Sequence, residues 1–331
     1  MQRILHTPDG VRDIYGSECR RKKTMMNECN QVFDAYGYEP IETPTFEFLD
    51  VFGSEVGTAP SNELFKFFDR DGRTLALRPD FTPSIARTVS AYFDDVPRPL
   101  RLCYEGSTFV NSSEYQGRLK ESTQMGVEMI GDGSAEADAE IIALTIDCLK
   151  KVGLSDFQLS IGEVNLIGSL IAEGNLTTEQ TEELRRLLII RNVFGIEDLL
   201  DGTTMSAERR NALIKMPALF GGPEVLKTAR DLAVGARCHA AIDRLENIYG
   251  ILEKKDMARY ISFDFGTISR YRYYTGIIFS AFTYGSGEPV AKGGRYDSLL
   301  GQFGKDEAAV GVGLAIDQLA VCLNRSDRSG K

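Results

Sequence analysis

The sequence predicts an α+β protein, in which an antiparallel β-sheet flanked by helices is interrupted by a helical insertion. Three observations indicate this class. Residues 101–131 alternate like paired strands, residues 166–255 show helical periodicity and helix-capping signals with no strand pattern, and strand periodicity returns after residue 258. A length of 331 residues is enough for roughly two domains.

Residues 101–131 predict a long β-hairpin. In its second strand an apolar face holds Met125, Val127 and Met129, while a polar face holds Gln124, Gly126 and Glu128. A glycine between two hydrogen-bonding side chains leaves bare backbone where a ligand could approach closely. The hairpin is therefore expected to line a small-molecule pocket; the alternative is that Gln124 and Glu128 simply face water.

The segments before this hairpin read as a helix, an extended stretch and a second hairpin. We expect a helix from about Glu18 to Ala35, extended chain into a short helix over residues 37–53, and a hairpin over residues 65–79 turning at Asp71-Gly72. The two prolines of residues 37–53 suit an edge or interface strand.

Asp80 and Thr82 stand where the second hairpin gives way to a helix. Thr82 is a good N-cap and Pro83 fits the first helical position. Polar ligand contacts and a purely capping role are both compatible with this placement.

Beyond the central hairpin, Ser134 is expected to cap a helix over residues 135–151, and a strand is expected from Phe157. Residues 259–266 and 273–282 read as a further hairpin. Residues 293–297 (GGRYD) read as a loop and residues 311–323 (GVGLAIDQLAVCL) as a closing helix. Tyr273 and Tyr274, adjacent on a strand, are expected to face opposite sides.

Composition excludes several kinds of site. Six scattered cysteines without a CxxC pair indicate neither a zinc site nor a disulfide framework, and two histidines leave little material for imidazole catalysis. A net charge of −10 argues weakly against a nucleic-acid-binding surface. No signal peptide or membrane span is predicted, so we expect a cytoplasmic protein. No metal is expected from the scattered cysteines, and no cofactor is expected.

Six stretches resemble the catalytic core of class II aminoacyl-tRNA synthetases, in particular histidyl-tRNA synthetase: GYEPIETPTFEFLDVFG, LALRPDFTPSIAR, GRLKESTQMGVEMIG, YYTGIIF, GGRYDSLLGQFG and AAVGVGLAIDQL. The first resembles that family's dimer-interface motif. The resemblance implies a discontinuous synthetase-like core over residues 1–165 and 256–325, a helical insertion domain over 166–255 and a tail over 326–331. It also implies that the expected anticodon-binding domain is missing.

The resemblance also implies a histidine pocket. Asp80, Thr82 and Gln124 match residues that hold the α-amino group of the substrate, although the enzymes usually have Glu at the position of Asp80. Glu128 and Tyr274, with Tyr273 beside it, match the readers of the imidazole. A carboxylate and a phenol can both accept from a ring N–H.

Four positions depart from the enzymes. Val110 and Gln318 replace arginines that contact ATP, Ser122 replaces the aromatic residue that stacks on adenine, and Ser269 aligns with the catalytic arginine, although Arg270 and Arg272 lie close by. Adenylation requires positive charge around the phosphates. The resemblance therefore implies an amino-acid pocket without an ATP site.

This combination resembles the regulatory subunit of ATP phosphoribosyltransferase, as does the stretch LIKMPALFGGPEVL of residues 213–226. It implies a non-catalytic histidine sensor in histidine biosynthesis. Such a subunit forms a homodimer, joins and activates the short catalytic subunit, and has no tRNA partner. An active histidine-activating synthetase-like enzyme or ligase, and a scaffold with an empty pocket, are the alternatives.

Overall fold

The computed structural model describes residues 5–53, 60–111, 119–267 and 273–329, with side chains to residue 323. Within these ranges the strands are β1 (Glu39–Pro40), β2 (Phe46–Phe48), β3 (Lys66–Phe68), β4 (Thr74–Leu77), β5 (Leu100–Phe109), β6 (Glu121–Ile130), β7 (Phe157–Glu163), β8 (Phe220–Gly221), β9 (Ile261–Asp264), β10 (Ile277–Thr283), β11 (Ala291–Arg295) and β12 (Ala309–Ala315). The α-helices are α1 (Gly16–Ala35), α2 (Thr82–Tyr92), α3 (Ala135–Lys151), α4 (Val164–Ala172), α5 (Thr178–Ile189), α6 (Val193–Asp201), α7 (Ala207–Lys215), α8 (Glu224–Leu232), α9 (Ala236–Lys254) and α10 (Ile316–Ser329).

The larger sheet has the strand order β1-β5-β6-β12-β11-β10-β7-β9-β8. Its pairs are antiparallel except β1 with β5 and β7 with β9. A separate small sheet has the order β2-β4-β3. An antiparallel-rich sheet with helices packed on it is the predicted α+β class, which is confirmed.

The central hairpin forms with the predicted faces. Strands β5 and β6 pair from Leu100 opposite Ile130 to Phe109 opposite Glu121. Met125, Val127 and Met129 are fully buried in the main hydrophobic core, to which α1 and α3 also contribute. Because strand side chains alternate, the polar residues of β6 are directed to the opposite face.

Ser134 caps α3 as predicted, since its hydroxyl accepts a hydrogen bond from the amide of Ala137 at 3.1 Å. The helix also has acidic residues in its first turn and lysines in its last turn. These charges interact favourably with the helix dipole and stabilise the helix. Both ends of α3 agree with the sequence pattern.

Three expectations in the C-terminal third were wrong. Residues 309–315 form strand β12, so the closing helix begins only at Ile316, and Gly293, Gly294 and Arg295 belong to strand β11 instead of a loop. Strands β9 and β10 are not a hairpin, because β7 lies between them.

Close packing across the sheet explains why strand β12 contains the glycines that made it look unlike a strand in the sequence. A Cβ on Gly311 would lie 1.6 Å from Oε2 of Glu128, and a Cβ on Gly313 would lie 2.2 Å from Nε2 of Gln124. These glycines of β12 leave room for the polar side chains of the neighbouring β6.

Residues 164–254, called the helical segment below, contain α4 to α9. Capping signals were predicted for this segment, and one of them is confirmed at α5, where Thr177 and Gln180 form a reciprocal capping box. The expectation of no strand was wrong, since β8 pairs with β9. Buried residues of the segment share one hydrophobic core with the sheet. Its status as a separate domain stays a prediction.

In the parts of the chain that the structure describes, every helix is too short or too polar to cross a bilayer.

Candidate functional site

Asp80 lies between β4 and α2, beside the polar face of β6. The polar side chains gathered at this face are called the pocket below. Oδ1 of Asp80 accepts hydrogen bonds from the amide of Phe81 at 2.8 Å and from Nε2 of Gln124 at 3.3 Å, while Oδ2 accepts from the hydroxyl of Tyr273 at 3.3 Å. Burial raises the pKa of Asp80, although these hydrogen bonds oppose the shift. Among the described residues, the carboxylate has only neutral donors.

The expected capping role of Thr82 was wrong. Thr82 is itself the first residue of α2, and its hydroxyl donates to Oε1 of Glu128 at 2.7 Å instead of to the helix. Thr82 thus joins the start of α2 to strand β6 inside the pocket.

Glu128 is the most enclosed group of the site, with 1% of its surface exposed. Thr82 donates to one carboxylate oxygen and the hydroxyl of Tyr296 donates to the other. Burial raises the pKa of Glu128 to about 8, the two hydroxyl donors lower it, and the nearby charge of Asp80 adds to the rise. At neutral pH the free pocket therefore favours a protonated Glu128.

Tyr273 and Tyr274 both lie beside the pocket, so the expectation that they face opposite sides was wrong. They precede β10 instead of lying in it. Their ring centroids are 4.7 Å apart, and the Tyr273 ring meets that of Tyr296 edge-on at 6.0 Å. The Tyr274 ring lies over Gly294, where a Cβ would be 2.7 Å from its Cε1.

Two tyrosines of the site were missed by the sequence pattern. The Tyr104 hydroxyl accepts from Nε2 of Gln124 at 3.1 Å, and Tyr104 pairs with Gly126 across the hairpin. That register could have identified it, because a tyrosine can fill the space over a glycine on the facing strand. Tyr296 was hidden because its segment was read as a loop.

The positions that depart from the synthetases lie near the loop end of the hairpin. Ser122 pairs with Thr108, and their hydroxyls are 3.1 Å apart. Val110 follows β5. Gln318 is in the first turn of α10, which begins just after Ala315 pairs with Gln124. These three side chains bring no positive charge to this end. Ser269, Arg270 and Arg272 lie outside the described residues.

This arrangement suits a small ligand rich in hydrogen-bond donors. The carboxyl group of Glu128 is buried and that of Asp80 is half-buried, and hydroxyl and amide groups surround both. In the described part of the chain neither of them receives a hydrogen bond from Lys or Arg. A ligand cation or N–H would offset the cost of keeping such carboxylates charged. The described residues also contain no cluster of three or more His, Cys, Asp or Glu side chains suited to a metal ion.

Comparison with known proteins gives one family model and many close relatives. The model described as histidyl-tRNA synthetase matches residues 10–319. The chain is 40% identical over 321 residues to an ATP phosphoribosyltransferase regulatory subunit of Acetivibrio thermocellus, covering 97% of this chain and 77% of the relative. It is 38% identical to one of Thermoanaerobacter pseudethanolicus, with coverages of 98% and 84%.

Solved structures agree. One described as an ATP phosphoribosyltransferase regulatory subunit/histidyl-tRNA synthetase from Bacillus halodurans superposes with a TM-score of 0.90 at 34% identity, covering 98% of this chain and 84% of that one. Histidyl-tRNA synthetase of Nostoc superposes with a TM-score of 0.76 at 18% identity, covering 98% and 75%, which supports the fold alone.

Proposed function

The chain belongs to the histidyl-tRNA synthetase-like family of ATP phosphoribosyltransferase regulatory subunits, and from this we propose that it senses histidine without catalysing a reaction itself. In this proposal histidine in the pocket provides feedback control of the first step of histidine biosynthesis. The subunit also activates the short catalytic subunit, which is its partner.

The observation that supports histidine as the ligand is the pair of carboxyl groups in the pocket, of which Glu128 is buried and Asp80 is half-buried. Asp80, with Gln124 beside it, is the acceptor proposed for the α-ammonium group. Glu128, held by Thr82 and Tyr296, is the acceptor proposed for an imidazole N–H, with Tyr274 as the second reader of the ring. A carboxylate has about four lone-pair sites, and each of these groups uses only part of that capacity.

Titration calorimetry with histidine tests this pocket directly. We expect saturable heat for the wild-type protein and at least a tenfold weaker affinity for Asp80→Asn, which keeps the shape but removes the charge. The matched control is Asp94→Asn, an exposed carboxylate after α2. Equal affinity in all three proteins would contradict the assignment.

We also propose that the protein has no adenylation activity, because positions 110 and 318 carry no positively charged side chain. One electrostatic contact to a transition state commonly contributes ~3 kcal/mol, and Val110 and Gln318 offer none. ATP–pyrophosphate exchange in the presence of histidine is expected to stay at background. Robust exchange would favour the alternative, an active histidine-activating enzyme or ligase, with a cation supplied from residues 269–272.

The partner proposal is tested by adding the protein to a short catalytic subunit of ATP phosphoribosyltransferase. Phosphoribosyl transfer is expected to rise on mixing and to fall again when histidine is added. Activity that is unchanged in both conditions would remove the catalytic subunit as the partner.

A homodimer is proposed from the small sheet β2-β4-β3. Phe46, Phe48 and Phe68 on its two edge strands are 50%, 47% and 72% exposed, which is a large apolar surface for an isolated chain. Sedimentation should give a dimer for the wild type and a monomer for a Phe46→Ser, Phe68→Ser variant. Phe194→Ser is the control, since Phe194 is 85% exposed but lies on α6. A wild-type monomer would contradict this interface.

The net charge of −10 supports the further proposal that tRNA is not a partner, because phosphate neutralisation needs clustered Lys and Arg. A gel-shift titration with tRNA at 150 mM salt should show no complex, and a salt-dependent complex would contradict it.

A further inference from the structure

A strand that lines the pocket is joined to the helical segment through one buried carboxylate. Arg295, at the end of β11, precedes Tyr296, whose hydroxyl contacts Glu128. Nε of Arg295 donates to Oδ1 of Asp138 on α3 at 2.8 Å, and Nε of Arg244 on α9 donates to Oδ2 of the same residue at 2.6 Å. The Asp138 side chain is fully buried, and it forms ion pairs with both arginines.

Both guanidinium groups also bind the backbone turn before α3. Arg244 donates to the carbonyl oxygens of Gly133 and Ser134 at 3.0 and 2.9 Å, and Arg295 donates to that of Asp132 at 3.1 Å. A planar guanidinium in a fixed fork of acceptors cannot shift without breaking several hydrogen bonds at once. Displacing Arg295 therefore disturbs the site that holds Arg244.

A second connection starts at Thr275, just after the two tyrosines of the pocket. Its carbonyl oxygen accepts from Nδ2 of Asn165 at 2.8 Å, and its hydroxyl accepts from the amide of Asp297 at 2.9 Å. Asn165 also donates to Glu163, whose side chain caps α4 through the amide of Leu166 at 3.1 Å. The pocket is thus tied to both α4 and α9, the first and last helices of the helical segment.

We propose that the helical segment is the part of the subunit that responds when the pocket is filled, with Asp138 and Arg244 as the residues that transmit the change. This inference rests on the proposed binding of histidine. A ligand that binds Glu128 changes the hydrogen bond between Glu128 and the hydroxyl of Tyr296. Arg295 is the residue directly before Tyr296, so a shift of Tyr296 is passed to Arg295. Because Asp138 holds Arg295 and Arg244 together, the response is a change in how α9 packs against α3.

Hydrogen–deuterium exchange of the full-length protein, with and without saturating histidine, tests the proposal. We expect histidine to change amide exchange in α4 and α9 by at least about 5-fold, the lower end of typical coupling between sites. In Arg244→Lys, which keeps the charge beside Asp138 but cannot reach both carbonyls, this change should disappear while histidine affinity stays within about threefold. Arg230→Lys is the matched control, because Arg230 pairs with α9 only at the surface, through Asp243 and Glu246.

The outcomes separate this inference from the proposed function. Absence of saturable heat in calorimetry would overturn histidine sensing and this inference with it. Saturable heat without any exchange change in wild-type α4 and α9 would overturn the inference alone, and this result does not depend on whether the variants fold. A full exchange response in Arg244→Lys would remove Arg244 from the mechanism.

Discussion

Replacing Glu128 by Gln should make the unliganded protein less sensitive to rising pH. Gln has nearly the same shape, can keep contacts with Thr82 and Tyr296, and does not titrate. The wild-type carboxyl group, by contrast, is enclosed and has a pKa raised by burial from 4.5 to about 8. A charged Glu128 is therefore a cost to the folded state.

The sign follows from proton binding. Between pH 4.5 and about 8, the folded state keeps a proton on Glu128 that the unfolded state has lost, so the free energy of unfolding falls as pH rises. The slope is at most about 1.4 kcal/mol per pH unit. From pH 5 to pH 8 the accumulated loss is roughly 3 to 4 kcal/mol, an upper limit because water entry relaxes a buried charge.

Urea denaturation at fixed protein concentration, repeated from pH 5 to pH 8, measures this effect. The free energy of unfolding of Glu128→Gln minus that of the wild type should grow with pH, and titrating groups that do not interact with Glu128 cancel in the difference. Glu121→Gln, at an exposed position on the same strand, should follow the wild type. A flat difference for Glu128→Gln would refute the idea of an enclosed, protonated carboxyl group.

Three further predictions concern glycines. Gly311→Ala should weaken histidine binding at least tenfold in calorimetry, since its Cβ would fall 1.6 Å from Oε2 of Glu128, and unchanged affinity would show that Glu128 can move aside. Gly250→Ala, inside α9 with open space around its Cβ, should leave affinity unchanged and raise the free energy of unfolding by about 0.5–1 kcal/mol. Gly235→Ala, at a backbone φ of +88°, should lower the melting temperature, and a rise there would contradict the strain argument.

Local signals determined much of the fold. The ends of α3 follow from Ser134 and from the charges at its two ends, and the central hairpin follows from alternation along β6. Both signals depend on residues a few positions apart, so a single segment contains all the information. The polar residues Gln124 and Glu128 were identified in the same way, because a strand fixes which side chains share a face.

The tertiary structure decided what depends on neighbours distant in the chain. Glycines in residues 309–315 hid a strand, because its pattern reflects the space needed by Gln124 and Glu128 on β6. Strand β7 separates β9 from β10, and no local pattern encodes which strands pair. Tyr296 and Thr82 became partners of Glu128 only when three separate segments met, since hydrogen bonds between buried groups are set by packing and not by sequence spacing.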